Sequence, residues 1–180
     1  MTTELQPPSL ASLPFVPYLT DEGDVNHTWA GQIGVYAIFD ADQALQYVGY
    51  SRDISLSLKQ HVVRRSPVCK WVKVQTITKP SRTVLDSMRD AWIAENGTVP
   101  PGNADDEPLW TQPIDAKLQM TEAEKAAYEA QDEAGKIKVL KNVARRVEAQ
   151  VMEQLQQQGI TAAIRFDPKL KESGLLNLKP

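Results

Sequence analysis

Two tyrosines and one histidine stand at spacings that could gather them around a single water molecule. Tyr36 closes the tripeptide "GVY", Tyr47 opens "YVG", and His61 follows in "SLKQH". Tyrosine, histidine and a carboxylate can together position a water molecule and move its proton. A divalent ion that polarises a phosphate would complete the chemistry of phosphodiester hydrolysis. The competing interpretation is that the tyrosines only pack in strands and that the glycines beside them form turns.

A hairpin followed by a helix must position these three side chains. The apolar runs "IGVYAIFD" and "ALQYVGY" predict two strands, with "DADQ" as the turn between them. Asp53 is a suitable N-cap for a helix over Ile54–Arg64 that carries His61. Gly34 and Gly49 leave the backbone of the hairpin unshielded, so we expect room there for a bulky ligand.

The remaining pattern predicts a small α/β domain with a helical extension. "VCKWVKVQTI" alternates as a third strand, Ser81 could cap a second helix that Gly97 stops, and Thr121 with Glu124 forms a capping box for a long helix. The predicted fold class is therefore α/β, a mixed sheet of about three strands flanked by helices, followed by C-terminal helices. The predicted divisions are an irregular N-terminal arm over 1–30, the α/β domain over 31–103, an acidic linker over 104–120, and a helical extension with a tail over 121–180.

Composition excludes several classes of protein. The chain has 180 residues, 42% of them hydrophobic, and a formal net charge of -3. Its single cysteine excludes an internal disulfide and any multi-cysteine metal site, and its two histidines leave little for a zinc site. No apolar run approaches the roughly 18 residues that a membrane span needs. The first 30 residues lack Lys and Arg, which argues against a signal or transit peptide, so we expect a soluble protein in a reducing compartment.

Basic residues are concentrated beside the hairpin and near the C-terminus. Those beside the hairpin that we expect to contact a nucleic-acid backbone are Arg52, Lys59, Arg64 and Arg65. Tyr50 and Trp71 could add stacking surfaces for bases, and such binding would weaken with salt. The competing interpretation is that these cations are ordinary solvated surface charges.

The order and spacing of these residues resemble the GIY-YIG nuclease family. "GVY", a ten-residue gap, "YVG", and then "YSRDISLSLKQH" follow the family pattern, and Asn103 in "VPPGN" resembles its terminal asparagine. The resemblance covers roughly residues 32–103. The nearest likeness is to the domain at the front of certain plastid glutaredoxins and to proteins of photosynthetic bacteria, which implies a plastid stroma or a bacterial cytoplasm. No glutaredoxin domain follows, so redox chemistry is not implied.

The resemblance implies specific roles, and the chain departs from some of them. It implies that Tyr36, Tyr47 and His61 surround an attacking water and that a carboxylate on a later helix holds Mg²⁺, a role for which Asp90 is the candidate. Ser57 occupies the position of the family's phosphate-binding arginine, and Tyr50 that of a basic residue. We expect Arg52 to be a better substitute for that arginine than Arg64.

Two functions follow from these observations. The first is nucleic-acid binding with weak or degenerate Mg²⁺-dependent phosphodiester hydrolysis. The second is a non-catalytic scaffold or assembly module that binds a protein partner through residues 136–180, where an apolar helical stripe precedes the tail "SGLLNLKP". The stripe could equally pack on its own domain.

Overall fold

A computed structural model describes residues 7–179 of the chain. They divide into two compact units, the first ending at Thr111 and the second beginning at Gln112. The strands are Val16–Pro17 (β1), Ile33–Phe39 (β2), Leu45–Ser51 (β3), Trp71–Ile77 (β4), Ile114–Asp115 (β5) and Leu175–Leu176 (β6). The α-helices are Ile54–Arg65 (α1), Arg82–Asn96 (α2), Glu107–Thr111 (α3), Glu122–Glu129 (α4), Glu133–Gln157 (α5) and Pro168–Lys171 (α6). Short 3-10 turns occupy Leu10–Ser12, Ser66–Val68, Pro101–Asn103 and Ala116–Gln119.

The first unit is built on a four-stranded sheet with the order β1-β4-β2-β3. Each neighbouring pair of strands is antiparallel. The α/β fold class and the C-terminal helical region are thus confirmed, while the sheet gains a fourth, two-residue strand from the segment that we expected to be an irregular arm. β3 and β4 run in the same direction but lie on opposite sides of β2, so the sheet has no parallel neighbours and is antiparallel throughout, in place of the expected mixed sheet.

Alternation along β2 separates two apolar surfaces. Val35, Ala37 and Phe39 face a core cluster that includes Leu85 and Trp92 of α2. Successive side chains in a strand point to opposite faces. Tyr36 and Ile38 therefore face the other side of the sheet, where α1 lies, and this is what directs Tyr36 toward the histidine of that helix.

Side-chain caps fix where α1 and α2 begin. The amide of Leu56 donates to Asp53 Oδ1 (3.2 Å), and the amide of Val84 donates to Ser81 Oγ (3.2 Å). Gly97 ends α2 in the left-handed conformation, with φ of 85°, which glycine adopts without a steric penalty. These three predicted helix boundaries are confirmed.

The described part of the N-terminal segment is anchored to the end of α2. The amides of Leu10 and Ala11 each donate to the carboxylate of Glu95 at 2.8 Å. The indole of Trp92 donates to the carbonyl of Pro8 at 3.0 Å. Together with the fully buried Tyr18, these contacts make the segment part of the first unit.

The second unit is a helical pair closed by the tail. The predicted capping box is present, since Thr121 Oγ1 accepts from the Glu124 amide and Glu124 Oε1 accepts from the Thr121 amide. The helical region breaks at residues 130–132, whereas Gly135 lies in the first turn of α5. The buried face of α5 consists of Val143, Ala144, Val147 and Leu155.

The segment over 104–120, which we expected to be an acidic linker, carries structure on both sides of the unit boundary. It contributes α3 to the first unit, and β5 and a 3-10 turn to the second. Its Trp110 is only 1% exposed. Among residues 7–179, no helix combines the length and apolar character needed to cross a bilayer.

Candidate functional site

The hairpin and α1 bring the two tyrosines and the histidine together. β2 and β3 pair so that Tyr36 lies opposite Gly49, two residues from Tyr47 on the same face. Tyr36 Oη lies 2.7 Å from His61 Nε2. The rings of Tyr36 and Tyr47 are 6.2 Å apart between centroids, and His61 lies 5.5 Å and 4.8 Å from them. The convergence that the spacing predicted is therefore present.

The two hairpin glycines make room for nearby protein atoms. A Cβ at Gly49 would lie 2.6 Å from a ring carbon of Tyr47 and 2.9 Å from the hydroxyls of Tyr36 and Tyr47. A Cβ at Gly34 would lie 2.3 Å from the Gln75 carbonyl oxygen of β4. Gly49 is thus required for the two phenols to meet, and it also lines an open cleft.

Trp110 covers this cluster, which we name the Tyr-His cluster (Tyr36, Tyr47 and His61). Its ring is stacked on Tyr47, with centroids 5.1 Å apart and planes 6° from parallel, and it lies 5.6 Å from the His61 ring. Tyr36 is 2% exposed and His61 4%. A water molecule therefore has little access to the histidine from the side that Trp110 occupies.

Burial also sets the protonation states in the cluster. Desolvation, reinforced by the positive charge of Arg64, lowers the pKa of His61 to about 3, against a smaller opposing effect from the Trp110 backbone. Burial raises the pKa of Tyr36 well above its usual value, and it also raises the pKa of Tyr47. At neutral pH all three groups are uncharged, and the imidazole can accept the hydrogen bond of a phenol.

Arg64 and Ser57 are the α1 residues that act on the phenols. A hydrogen bond from the Ser57 hydroxyl and the charge of Arg64 both partly offset the rise in the pKa of Tyr36. Arg64 Nη1 donates to the carbonyl oxygen of Trp110 at 2.7 Å. Of the two arginines considered as substitutes, Arg64 is the one at the cluster, whereas the exposed Arg52 lines a different cleft with Tyr50 and Arg82.

The basic residues predicted to bind nucleic acid have diverse surroundings. Arg65 is half-buried, with its Cζ 5.9 Å from the centroid of the Trp110 ring. Lys59 is half-buried, and its charge adds to the hydrogen bond from His27 that chiefly lowers the pKa of Asp24. Of the four predicted contacts, Arg52 is exposed and the other three are half-buried, so these residues do not form one open basic surface. Another cation nearby in the chain, Lys73 of β4, donates its ammonium to the Leu10 carbonyl at 2.9 Å.

An open cleft of about 420 Å³ lies on the other side of Tyr47. Its polar lining includes Arg89, Asp90, Asn103 and Glu107. Asp90, the predicted metal ligand, is thus in the same cleft as Tyr47, but its Oδ1 lies 3.2 Å from Arg89 Nε. Within the described residues no group of three or more acidic, histidine or cysteine side chains could hold a metal ion. Mg²⁺ is commonly held by one or two carboxylates together with water and substrate phosphate. The pairing with Arg89 competes with that role for Asp90, and the Mg²⁺ site stays a prediction.

Asn103 fixes the wall between this cleft and the sheet. Its side-chain amide donates to the Val48 carbonyl and accepts from the Val48 amide, both at 2.8 Å. This asparagine therefore closes the end of "VPPGN" onto β3, and its role is structural.

Three residues of this region were not predicted from the sequence to belong to the site. Trp110 and Glu107 lie in the segment taken as a linker, and their only signal was a tryptophan in an otherwise acidic stretch. Arg89 has no predicted role, yet it lines the cleft and its guanidinium lies 5.4 Å from the Tyr50 ring centroid.

Comparison with known proteins gives one relative of partial length. No protein-family model matches the chain. Over 74 residues the chain is 40% identical to the protein named bifunctional monothiol glutaredoxin-S16, chloroplastic, of Arabidopsis thaliana. The match covers 39% of this chain and 25% of the plant protein, so the chain spans about a quarter of the length of that relative. Over that stretch the chain is similar to part of a chloroplast glutaredoxin.

Proposed function

We propose that this chain is a GIY-YIG-type domain that has become a non-catalytic binding module. The observation that carries the proposal is Trp110, which is stacked on Tyr47 and covers His61. A hydrolytic site of this kind needs a water molecule between the tyrosines and the histidine. Here that space is filled by side chains packed against one another, and Gly49 lets them approach so closely.

The protonation states support the same proposal. A general base works best when its pKa lies near the operating pH. The pKa of His61 is about 3, so the imidazole is a weak base at neutral pH. The family's phosphate-binding arginine is Ser57 here, and Arg64 is engaged with the Trp110 carbonyl. The relative's chloroplast name is consistent with a plastid setting for the module.

A plasmid-nicking assay tests the absence of hydrolysis. Wild type, Tyr47→Phe and His61→Gln would be incubated with supercoiled plasmid and Mg²⁺ or Mn²⁺. We expect the three proteins to leave the plasmid equally intact. Nicking by wild type that both variants lose would overturn the proposal. Nicking gained by Trp110→Ala would support it, because Trp110 would then be the group that keeps the cluster inactive.

The C-terminal unit is the candidate for binding a protein partner. The tail, which we expected to take part in partner binding, is not a free peptide, because Leu176 and Leu178 are buried within the unit. Helix α5 instead leaves Ile137 and Met152 exposed, at 43% and 37%. We expect Ile137→Asp with Met152→Asp to abolish co-purification with a partner from the native source, while Gln150→Asp on the same helix does not. Retention of the partner by the double variant would remove α5 from the proposal.

Nucleic-acid binding without cleavage is the second candidate, and the open cleft favours it. Arg89 lies beside Tyr47 and Tyr50 there, so a cation and aromatic rings share one concave surface. Two carboxylates in the same lining oppose a polyanion. We expect Arg89→Gln to weaken binding of a fluorescent oligonucleotide about tenfold, with Arg82→Gln at the helix start as the charge-matched control. Equal anisotropy titrations for wild type and Arg89→Gln would end this candidate.

A further inference from the structure

The C-terminal unit contains a cleft of about 430 Å³ lined mainly by cationic side chains. They come from three separate parts of the chain, namely Lys141 and Arg145 on α5, Lys169 and Lys171 on α6, and Lys179 near the end. Two carboxylates, Asp167 and Glu172, also line it. Five cations against two carboxylates leave this lining with a formal charge of +3.

Both carboxylates already have partners in the unit. Asp167 Oδ1 accepts from the Lys169 amide at 2.9 Å, and Glu172 lies 3.5 Å from Lys141 Nζ. Outside the lining, Glu148 forms an ion pair with Lys171. Two of the five cations are therefore neutralised from within the unit.

The other three cations face the cleft with no ion pair. Within residues 7–179, no carboxylate lies within ion-pair distance of Arg145, Lys169 or Lys179, and all three are exposed. The position of Lys179 is fixed by its backbone, because its amide donates to the Arg165 carbonyl at 2.8 Å. A concave surface that gathers several unpaired cations concentrates anions.

We propose that this cleft binds a small anion bearing two or more phosphate groups. One phosphate monoester carries about 1.5 to 2 negative charges near neutral pH, which is fewer than the three cations that have no ion pair. A diphosphate offers enough oxygens to contact all three, with Arg145 binding it in a bidentate manner and the two lysines as point charges. This inference is independent of the proposed function, because it concerns the second unit alone.

The shape of the site favours a compact ligand over a strand of nucleic acid. A volume of about 430 Å³ is in the range of small-molecule sites, roughly 300–1,000 Å³. The cations surround one concavity from three chain segments, whereas a bound strand is followed by a continuous basic groove.

Calorimetric titration of the full chain with pyrophosphate tests the proposal. We expect saturable one-site binding of pyrophosphate, at least about tenfold tighter than that of orthophosphate. Arg145→Gln and Lys169→Gln should each weaken it about tenfold, because each removes one charge-assisted contact. Lys138→Gln is the matched control, since it removes the same charge from an exposed position of α5 outside the cleft.

Three outcomes would overturn the proposal. The first is no saturable binding of pyrophosphate at low salt. The second is an equal loss in Lys138→Gln, which would show that only the overall charge matters. The third is a short oligonucleotide that binds more tightly than pyrophosphate and competes with it, which would assign the cleft to a strand. Unchanged thermal unfolding of the variants confirms that each comparison is made on folded protein.

Discussion

Some basic residues of the first unit and some of the second are used in opposite ways. In the first unit, Arg64 and Arg65 cover Trp110, and Lys73 is buried against a backbone carbonyl. In the second unit, Arg145 and Lys169 stand exposed around a cleft. Cations that hold aromatic rings and carbonyls stabilise a fold, whereas cations without partners attract a ligand. Charge counted along the sequence does not distinguish these two uses.

Of the substitutions considered, replacement of Trp110 should destabilise the first unit most. Because the indole is only 1% exposed and is stacked on Tyr47, we expect Trp110→Ala to lower the free energy of unfolding by about 3–5 kcal/mol. Urea denaturation monitored by circular dichroism measures this. Leu109→Ala, at a 48% exposed neighbour, should change it by less than about 0.5 kcal/mol. Equal effects would mean that Trp110 does not cover the cluster in solution.

Loss of the Asn103 side chain should have the next largest effect. Asn103→Ala leaves the amide and the carbonyl of Val48 without their partners. We expect a destabilisation of about 2–4 kcal/mol, as each unsatisfied buried group costs about 1–3 kcal/mol. Chemical denaturation of this variant beside Asn96→Ala, whose amide bonds only to nearby exposed residues, provides the comparison. A loss below that of Asn96→Ala would contradict the assigned role.

Acid should weaken the first unit through His61. The pKa of His61 is about 3 in the folded protein and 6.5 when unperturbed. Between these two pH values the imidazole is protonated in the unfolded chain but neutral in the folded chain. Stability is therefore fully present above pH 6.5 and falls as the pH drops toward 3, by about 2 kcal/mol between pH 7 and pH 5. Urea unfolding at both pH values should show this loss in wild type and in His27→Gln, and a smaller loss in His61→Gln. An imidazole resonance of His61 that titrates near pH 6 would refute the explanation.

A matched pair of arginines gives the smallest and most direct comparison. Arg64→Gln removes a donor from the Trp110 carbonyl and should cost about 1–2 kcal/mol. Arg145→Gln removes an exposed charge and should change stability by less than about 0.5 kcal/mol. Thermal unfolding of both variants in the same buffer measures the two changes in stability. Equal destabilisation by the two substitutions would contradict the proposed difference between Arg64 and Arg145.

Local signals in the sequence accounted for most of the first unit. Asp53, Ser81 and Gly97 mark helix boundaries by side-chain or backbone chemistry that acts within a few residues, and all three were placed correctly. The meeting of Tyr36, Tyr47 and His61 was also expected, because hairpin register and helix position fix it. The nuclease interpretation of that meeting stays a prediction.

Contacts between distant parts of the chain could not be predicted in this way. The sequence around Trp110 does not predict that its ring stacks on Tyr47, sixty-three positions earlier. The two-residue strand β1 is too short for any periodic pattern, and its pairing with β4 defines it. The burial of the tail leucines could not be predicted, because it depends on packing against β5 and α5, which are distant in the sequence.

β3 is an edge strand of the sheet. An edge strand exposes unpaired backbone groups to which another chain can add a strand, and such pairing leads to aggregation. Here a single carboxamide, that of Asn103, occupies the amide and the carbonyl of Val48 as a neighbouring strand would. Asn103 therefore blocks strand addition at this position of the edge. Concentrated solutions of the Asn103→Ala variant should form oligomers through the edge of β3.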